Sequence, residues 1–174
     1  WAFETLGVTP DIVVLGKPIA NGYPMGAVVT TRAIADGFDN GMEFFSTFGG
    51  STAACVAGLT TLHVTREEQL QDHARRVGAH LLADLRALQR NHELIGDVRG
   101  SGLFVGVELV RDRASLEPAT EEAGRIVNRM RELGVLVGTD GPHHNVIKIR
   151  GPMPLGLSDI DCLVAAFERA LRES

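Results

Sequence analysis

The sequence lacks the features that mark an exported or membrane-spanning protein. Cysteine is nearly absent, with only Cys55 and Cys162 among 174 residues, so a disulfide framework is excluded and a reducing compartment is favoured. The longest apolar runs, such as Ile12–Leu15, are far shorter than the roughly 20 residues that cross a bilayer. No charged segment followed by an apolar one opens the chain. We therefore expect a cytoplasmic protein.

Lysine and net positive charge are also scarce. Of the 17 basic residues only Lys17 and Lys148 are lysines, and the formal net charge of −5 argues against a general nucleic-acid-binding protein. Glycine, by contrast, is abundant at 20 residues and predicts many tight turns. With 44% hydrophobic and 22% charged residues, the composition is that of an ordinary globular protein, and it excludes disorder over most of the length.

The hydrophobic pattern predicts an α/β arrangement in the first part of the chain and a compact α+β unit from about Glu93 onward. The predicted strands are Ile12–Leu15, which we expect to be buried, Ala27–Thr30, Ile95–Val98, Leu103–Val110, Val135–Val137 and Val146–Ile149. The predicted helices are Thr31–Asp39, Thr52–Val64, Arg66–Asn91, Thr120–Leu133 and a last one capped by Ser158 with Asp161. A turn at Arg99–Gly102 is expected to join the strands Ile95–Val98 and Leu103–Val110, and the second strand alternates Leu103, Val105, Val107 and Leu109 with Phe104, Gly106 and Glu108. The helix Arg66–Asn91 is expected to be amphipathic, with Leu70, Val77, Leu81, Leu85 and Leu88 close to helical spacing. Thr120 is expected to cap its own helix.

Lys17 is the first candidate for chemistry. It follows the predicted strand Ile12–Leu15 and Gly16, at the start of a loop that is dense in glycine and proline. Ligands of α/β proteins bind at the carboxyl ends of strands, and an ammonium near the interior costs free energy unless it is paired or used. A lysine with a chemical role at this position can form a Schiff base with a carbonyl group, and burial lowers the pKa of a lysine from about 10.4. A lysine that extends to solvent from the strand end is the alternative.

The segment Asp11–Gly22 resembles the second half of the signature of class-III pyridoxal-phosphate (PLP) aminotransferases. The residues that fill the positions of that signature are Asp11, Ile12, Val13, Gly16, Lys17, Asn21 and Gly22. The resemblance implies the fold type I of PLP-dependent transferases, an α/β fold. It also implies that Lys17 holds PLP as a Schiff base and then acts as acid and base in the proton shift of transamination.

A second segment, Phe45–Ser51, resembles the Ser-Thr-aromatic-Gly-Gly segment of the same family. The resemblance implies that Thr47 contacts the cofactor phosphate of the neighbouring subunit, and hence a homodimer with a shared cofactor site. A hydroxyl and the amides of a glycine loop can donate to phosphate oxygens, and the helix that begins near Thr52 favours an anion at its first turn. The alternative is a capping turn for that helix.

Lys148 marks a departure from the ordinary aminotransferases. Many of them carry an arginine at this position, which binds the substrate α-carboxylate through two parallel hydrogen bonds, and lysine cannot reproduce that geometry. Together with Ala119–Ala123 and Thr139–Pro142, Lys148 resembles the ethanolamine-phosphate and phosphohydroxylysine phospho-lyases, also called alanine–glyoxylate aminotransferase 2-like proteins. The resemblance makes Lys148 a candidate substrate-binding residue and leaves transamination and phosphate elimination open. A surface strand residue is the alternative. Arg150 is expected to point away from Lys148.

The resemblance covers nearly the whole chain and implies the C-terminal two-fifths of a class-III protomer. Residues 1–52 then end the PLP-binding large domain, residues 53–92 form bridging helices, and residues 93–174 form the small C-terminal α+β domain. The Asp-Glu motif whose aspartate pairs with the pyridine nitrogen is not found, and Glu4 and Asp11 do not replace it. We therefore expect the isolated chain to bind PLP poorly and to be inactive. A non-catalytic truncated domain is the competing hypothesis.

The remaining histidines and cysteines give no further site. His143 and His144 lie with Asp140 in a Gly-Pro loop without the spacing of a helical ligand pair, so no metal site is predicted. The other four histidines are expected to be surface or packing residues. Cys55 falls in a helix of small residues and is expected to be buried.

Overall fold

The computed structural model describes all residues from Trp1 to Ser174. The chain divides into two compact units, an N-terminal unit of residues Trp1–Glu68 and a C-terminal unit of residues Gln69–Ser174. None of the helices combines the length and the apolarity that a bilayer crossing needs.

The N-terminal unit contains one antiparallel strand pair and three helices. Strand β1 (Ile12–Leu15) pairs with β2 (Ala27–Thr30), with Ile12 opposite Thr30. The helices are α1 (Ala2–Thr5), α2 (Arg32–Phe38) and α3 (Thr52–Glu67). The prediction that β1 is buried is wrong, since Ile12 is 52% and Val14 76% exposed. The physical reason is that β1 has β2 as its only strand partner, so most of its surface stays in contact with solvent.

The C-terminal unit is built on an antiparallel sheet with the strand order β3-β4-β7-β6. Its strands are β3 (Ile95–Ser101), β4 (Phe104–Asp112), β6 (Gly138–Asp140) and β7 (Val146–Arg150), and the two-residue β5 (Glu117–Pro118) pairs with the end of β4. Three helices complete the unit: α4 (Leu70–Asn91), α5 (Thr120–Glu132) and α6 (Leu157–Arg172).

The core of the C-terminal unit lies between these three helices and one face of the sheet. On β4, Val105, Val107 and Leu109 are buried while Phe104 is exposed, which confirms the predicted alternation along this strand. Of the five positions predicted from apolar spacing on α4, Val77, Leu81, Leu85 and Leu88 are buried, and Leu70 at the start of the helix is half-buried. The opposite face of the sheet carries the polar and charged side chains.

The contact of α4 with the β3–β4 hairpin is a backbone contact. Gly78 on α4 lies so near the turn that a Cβ at this position would stand 2.1 Å from the carbonyl oxygen of Gly102. Gly102 itself has a φ of +55°, which glycine adopts without steric cost. Both glycines are therefore required by the geometry of this contact.

A single helix over Arg66–Asn91 was predicted, and this is wrong at its first turn. Helix α3 extends to Glu67, and α4 begins at Leu70. Gln69 between them has a φ of +51°, a left-handed conformation that cannot continue a right-handed helix. The run of charged residues at this break carries no apolar periodicity, so the sequence gives no signal for it.

The predicted helix caps are displaced by one or two residues. Thr120 is the first residue of α5 rather than its cap, and its hydroxyl donates to the carbonyl oxygen of His143 (2.6 Å). Helix α6 begins after Gly156, whose N–H donates to Oδ2 of Asp159 (2.8 Å). The capping carboxylate thus lies two residues before the predicted Asp161, and Ser158 is inside the helix.

The strand predicted at Val135–Val137 is also wrong. The N–H of Val135 donates to the carbonyl oxygen of Met130 (2.9 Å), so the chain is still leaving α5 at this point. Strand pairing begins only at Gly138, which lies opposite Lys148 of β7. Val135 and Val137 pack against the core but do not pair with a strand of the sheet, and Leu136 between them is exposed.

Candidate functional site

Lys17 follows β1 in a backbone conformation that is rare for lysine. Gly16 is extended, Lys17 has a φ of +49°, and a 3₁₀ turn then runs from Lys17 to Ala20 with Pro18 as its second residue. The left-handed conformation costs a side chain with a Cβ about 1–3 kcal/mol, and such residues cluster at ligand-binding and active sites. The local fold therefore fixes the position at which the amine of Lys17 leaves the strand.

The amine of Lys17 has no partner among the residues of the chain. Lys17 is exposed, so the burial expected for it is not found. The only other lysine is held in an ion pair, with its Nζ 2.7 Å from Oδ2 of Asp140. The two lysines thus differ: one amine is free to react with a carbonyl compound and the other is occupied.

Thr47 lies in the loop between α2 and α3 and is exposed. The loop is shaped by Ser46, whose Oγ accepts a hydrogen bond from the N–H of Gly49 (3.0 Å), and by Gly50, which has a φ of +70°. The hydroxyl of Thr47 makes no hydrogen bond within the chain. Ser51 is the N-cap residue of α3 but makes no side-chain cap bond, so the first amides of α3 remain available to an anion.

A cavity of about 650 Å³ in the N-terminal unit adjoins this loop. Its lining includes Tyr23, Met25, Phe48 and Ser51. Neither Lys17 nor Thr47 lines it, so the structure does not bring the two predicted cofactor contacts together in one cavity of this chain. Cys55 also lines the cavity and is exposed, which makes the prediction of a buried Cys55 wrong.

Lys148 lies on the polar face of the sheet in the C-terminal unit. It borders a cavity of about 500 Å³, together with Arg99, Phe104, Gly106 and Asp140. The hydrogen bond from Lys148, followed by that from the N–H of Gly141, holds the pKa of Asp140 below its usual range. The ammonium of Lys148 is therefore positioned by an ionised carboxylate on the neighbouring strand.

Arg99 is a cavity residue that the sequence analysis missed. Its Nη1 lies 2.7 Å from a carboxylate oxygen of Asp97 and 2.6 Å from one of Glu108. These hydrogen bonds, the one to Asp97 first, raise the pKa of Arg99. The signal in the sequence is weak, because Arg99 stands in a stretch that was predicted as a turn and is in fact the end of β3.

The expectation that Arg150 points away from Lys148 is wrong. The two residues are separated by one position on β7, where Ile147 and Ile149 face the core, so both charged residues lie on the polar face. Arg150 is exposed and stands opposite Phe104 of β4. This face of the sheet therefore carries two cations of β7.

The chain matches known proteins along almost its whole length. Residues 1–171 match the family model described as aminotransferase class-III. The "alanine–glyoxylate aminotransferase 2 homolog 2, mitochondrial" of Arabidopsis thaliana is 47% identical over 98% of the chain and 36% of the relative. The chain thus spans little more than a third of this curated relative.

Solved structures give the same result. A phospholyase from Arthrobacter in complex with phosphoethanolamine matches with a TM-score of 0.96 and 36% identity over 100% of the chain and 41% of that structure. An amine transaminase from an uncultivated Pseudomonas species, in its PLP-bound form, matches with a TM-score of 0.86 and 34% identity, over 98% of the chain and 40% of that structure. The fold is therefore that of about two-fifths of these enzymes. The family uses PLP as its cofactor. By sequence and by structure, the chain belongs to the class-III aminotransferase family.

Proposed function

We propose that the chain is the C-terminal part of a PLP-dependent class-III enzyme in which Lys17 forms the Schiff base of transamination. The observation that carries this proposal is the contrast between the two lysines. Lys17 has a free amine at a strained, fixed position after β1, and it occupies the lysine position of the family signature. Lys148 is engaged with Asp140.

The residues of the N-terminal unit fit the cofactor. The amine of Lys17 can condense with an aldehyde, while the hydroxyl of Thr47 and the uncapped first amides of α3 can donate to phosphate oxygens. When bound, PLP acts as an electron sink for the pair that is left when a proton leaves the substrate carbon. With the cofactor bound, Nζ of Lys17 would take up that proton and return it in the second half of the proton shift.

The exposure of Lys17 sets a condition on this activity. The reacting amine must be shielded from water, and the exposed apolar side chains Val14 and Val28 on β1 and β2 offer a surface for residues that would cover it. We therefore propose that the 174-residue chain alone binds PLP poorly and is inactive.

The proposed assembly is a homodimer that shares its cofactor sites. Thr47 does not share a cavity with Lys17 within the chain, which fits a role of Thr47 at the phosphate of the partner subunit. The exposed aromatic residues around it, Phe44, Phe45 and Phe48, supply apolar surface of the kind that interfaces bury. Chemical crosslinking or sedimentation of the full-length protein tests this assembly, and a monomer at working concentration contradicts it.

Elimination of phosphate from an amino-phosphate is the second candidate. It is favoured by Lys148, whose compact ammonium group replaces the two-pronged guanidinium of an arginine that binds carboxylates in many family members. The similarity to a phospholyase also favours it. The overall reaction would convert ethanolamine phosphate and water into acetaldehyde, ammonia and inorganic phosphate. Lys148 would bind an oxygen of the substrate phosphate in exchange for Asp140.

The Schiff-base proposal is tested by borohydride reduction of the full-length protein with PLP, followed by peptide mapping. We expect the reduced pyridoxyl group on Lys17. The matched control is Lys148→Arg, which should leave the label in place, whereas Lys17→Arg should abolish it. A label that stays after Lys17→Arg, or that maps to Lys148, contradicts the proposal. Reduction of the isolated chain should give no label above that of a denatured sample.

A product assay separates the two reactions. Phosphate release from ethanolamine phosphate, measured against amino-acid formation from an oxo acid, identifies the elimination or the transamination. Lys148→Met should raise the KM for the anionic substrate by at least tenfold, with a smaller change in kcat. Asp140→Asn removes the ion pair while it keeps the ammonium, so it serves as the control that retains binding. Equal effects of the two variants contradict a direct contact of Lys148 with the substrate.

The domain boundaries and the compartment belong to the same proposal. Residues 1–52 would end the PLP-binding domain, residues 53–92 would bridge, and residues 93–174 would form the small domain. The cytoplasm is the proposed compartment, since both cysteines are free. Because the Arabidopsis relative is named as mitochondrial, fractionation that places the protein in mitochondria would overturn this location.

A further inference from the structure

Three side chains that can bind a metal converge on the surface of the C-terminal unit, outside every motif discussed above. His80 and Asp84 lie one turn apart on α4, and Asp161 lies on α6, which packs against α4. The Nε2 atom of His80 is 3.3 Å from Oδ2 of Asp84 and 3.6 Å from Oδ1 of Asp161. The three ligand atoms all lie within 4.8 Å of one another.

Hydrogen bonding does not explain this convergence. Both distances from the imidazole exceed the 2.7–3.2 Å that is usual for an N–H···O bond, and the structure has no hydrogen bond between His80 and either carboxylate. Other carboxylates of the same unit do close onto their partners, as Glu132 does on Nη1 of Arg129 at 2.8 Å. The imidazole of His80 thus lies within ion-pair distance of both carboxylates but has no hydrogen bond with either.

The distances fit the edges of a zinc tetrahedron. Zn²⁺ binds histidine nitrogen and carboxylate oxygen at about 2.0–2.2 Å, so two ligand atoms of a regular tetrahedron lie roughly 3.3–3.6 Å apart. The observed 3.3 and 3.6 Å match two such edges, and a rotamer adjustment of exposed Asp161 can shorten the third. The side chains of His80, Asp84 and Asp161 are 44%, 35% and 70% exposed, so water can supply the fourth ligand.

We propose that His80, Asp84 and Asp161 form a binding site for Zn²⁺ that joins α4 to α6. The site holds one neutral imidazole and two carboxylates, a donor set that suits Zn²⁺. Because two ligands come from α4 and the third from α6, the bound ion links two helices that pack on the same core. Zinc then stabilises the folded C-terminal unit by an amount that rises with the free zinc concentration. The proposal is independent of the PLP site.

The test is calorimetric titration of Zn²⁺ into the untagged, metal-free chain. We expect one ion per chain, and His80→Gln and Asp161→Asn should each weaken binding at least tenfold, which corresponds to about 1.4 kcal/mol. The matched control is the double variant H143Q/H144Q, which removes the exposed histidine pair of the loop after β6. This control should bind zinc as the unmodified chain does.

Two further readouts protect the test against a variant that fails to fold. Co²⁺ in place of zinc should give the intense visible absorption of a tetrahedral site, and Asp161→Asn should abolish it. Zinc should raise the Tm of the unmodified chain and of H143Q/H144Q but not that of Asp161→Asn. Absence of binding, binding that Asp161→Asn leaves unchanged, or binding that is lost in H143Q/H144Q each overturns the proposal.

Discussion

The two units bury their apolar side chains to very different extents. In the C-terminal unit, Leu81, Leu85, Ile126, Ile147 and Phe167 are fully inaccessible within one continuous core. In the N-terminal unit only Ala20 and Gly58 are buried, while Phe45 and Phe48 are 80% and 85% exposed. The motifs of the family chemistry, around Lys17 and Thr47, both lie in the N-terminal unit.

This difference separates the buried core of the chain from the segments in which the reactive residues are proposed. The buried apolar side chains of the C-terminal unit form one continuous core, whose burial stabilises this unit. The N-terminal unit positions Lys17 through local backbone geometry, and its exposed apolar surface is available to other parts of an assembly. We therefore expect substitutions in the two units to have unequal effects on stability, and matched pairs of substitutions measure this inequality.

The largest difference is expected between Phe167→Ala and Phe48→Ala. Phe167 is fully buried in the C-terminal core, so its truncation leaves a cavity and should lower the free energy of unfolding by about 3–5 kcal/mol. Phe48 is 85% exposed, and its truncation should change stability by less than about 0.5 kcal/mol. Urea denaturation followed by circular dichroism measures both. Equal losses would show that the N-terminal unit has a core of similar strength.

The next pair is Gly78→Ala and Gly58→Ala, in which both changes add one methyl group to a buried helix position. At Gly78 the new Cβ meets the backbone of Gly102 at 2.1 Å, and overpacking of this kind costs about 1–3 kcal/mol or more. At Gly58 it meets the flexible end of Met25, with Sδ at 2.6 Å, which can move aside. Thermal unfolding should give a clearly lower Tm for Gly78→Ala only. A similar fall for Gly58→Ala contradicts the expected difference.

A smaller effect is expected for Arg113→Ala compared with Arg32→Ala. The guanidinium of Arg113 donates to the carbonyl oxygens of Gln89, His92 and Ile95, which lie at the end of α4 and the start of β3. Loss of these bonds should cost about 1–2 kcal/mol. Arg32 pairs only with exposed Asp36, so its removal should be nearly neutral. The denaturation midpoints of the two variants measure both effects. If Arg113→Ala left stability unchanged, water would satisfy these carbonyl oxygens as well as Arg113 does.

The smallest effect is expected in acid, at Glu173. Hydrogen bonds from Arg129 and then Arg169 lower the pKa of Glu173 in the folded chain. The stabilisation is therefore present above the pKa of the unfolded state and is lost as the pH falls through the lower folded value. Glu173→Gln should flatten the acid limb of a plot of stability against pH, while Asp36→Asn in the N-terminal unit should leave it unchanged. An acid limb that Glu173→Gln does not alter contradicts this contribution.

The sequence predicted local periodicity well and long-range placement poorly. The alternation on β4 and the apolar stripe of α4 were readable because each depends on spacing within one element. The break at Gln69 was not, since a left-handed residue among charged neighbours leaves no apolar signal. The exposure of β1 was missed because burial depends on which other elements cover a strand.

In the candidate site, too, local patterns could be predicted from the sequence and long-range placement could not. The motif around Lys17 could be recognised from the order of residues alone, and the role that it implies for Lys17 stays a prediction. The pairing of Lys148 with Asp140, and the presence of Arg99 on the same cavity, depend on the register of four strands. Asp161 reaches His80 only through the packing of α6 against α4, which no spacing along the chain indicates.

The proline that follows Lys17 also determines which tryptic peptide carries this lysine in mass spectrometry. Trypsin does not cut before proline, so the bond between Lys17 and Pro18 survives digestion, and the next arginine is Arg32. The peptide Trp1–Arg32 therefore carries Lys17 intact, whereas Lys148 falls in a different tryptic peptide. An acylating reagent applied to the folded chain distinguishes an accessible amine from one held by a carboxylate, within a single digest.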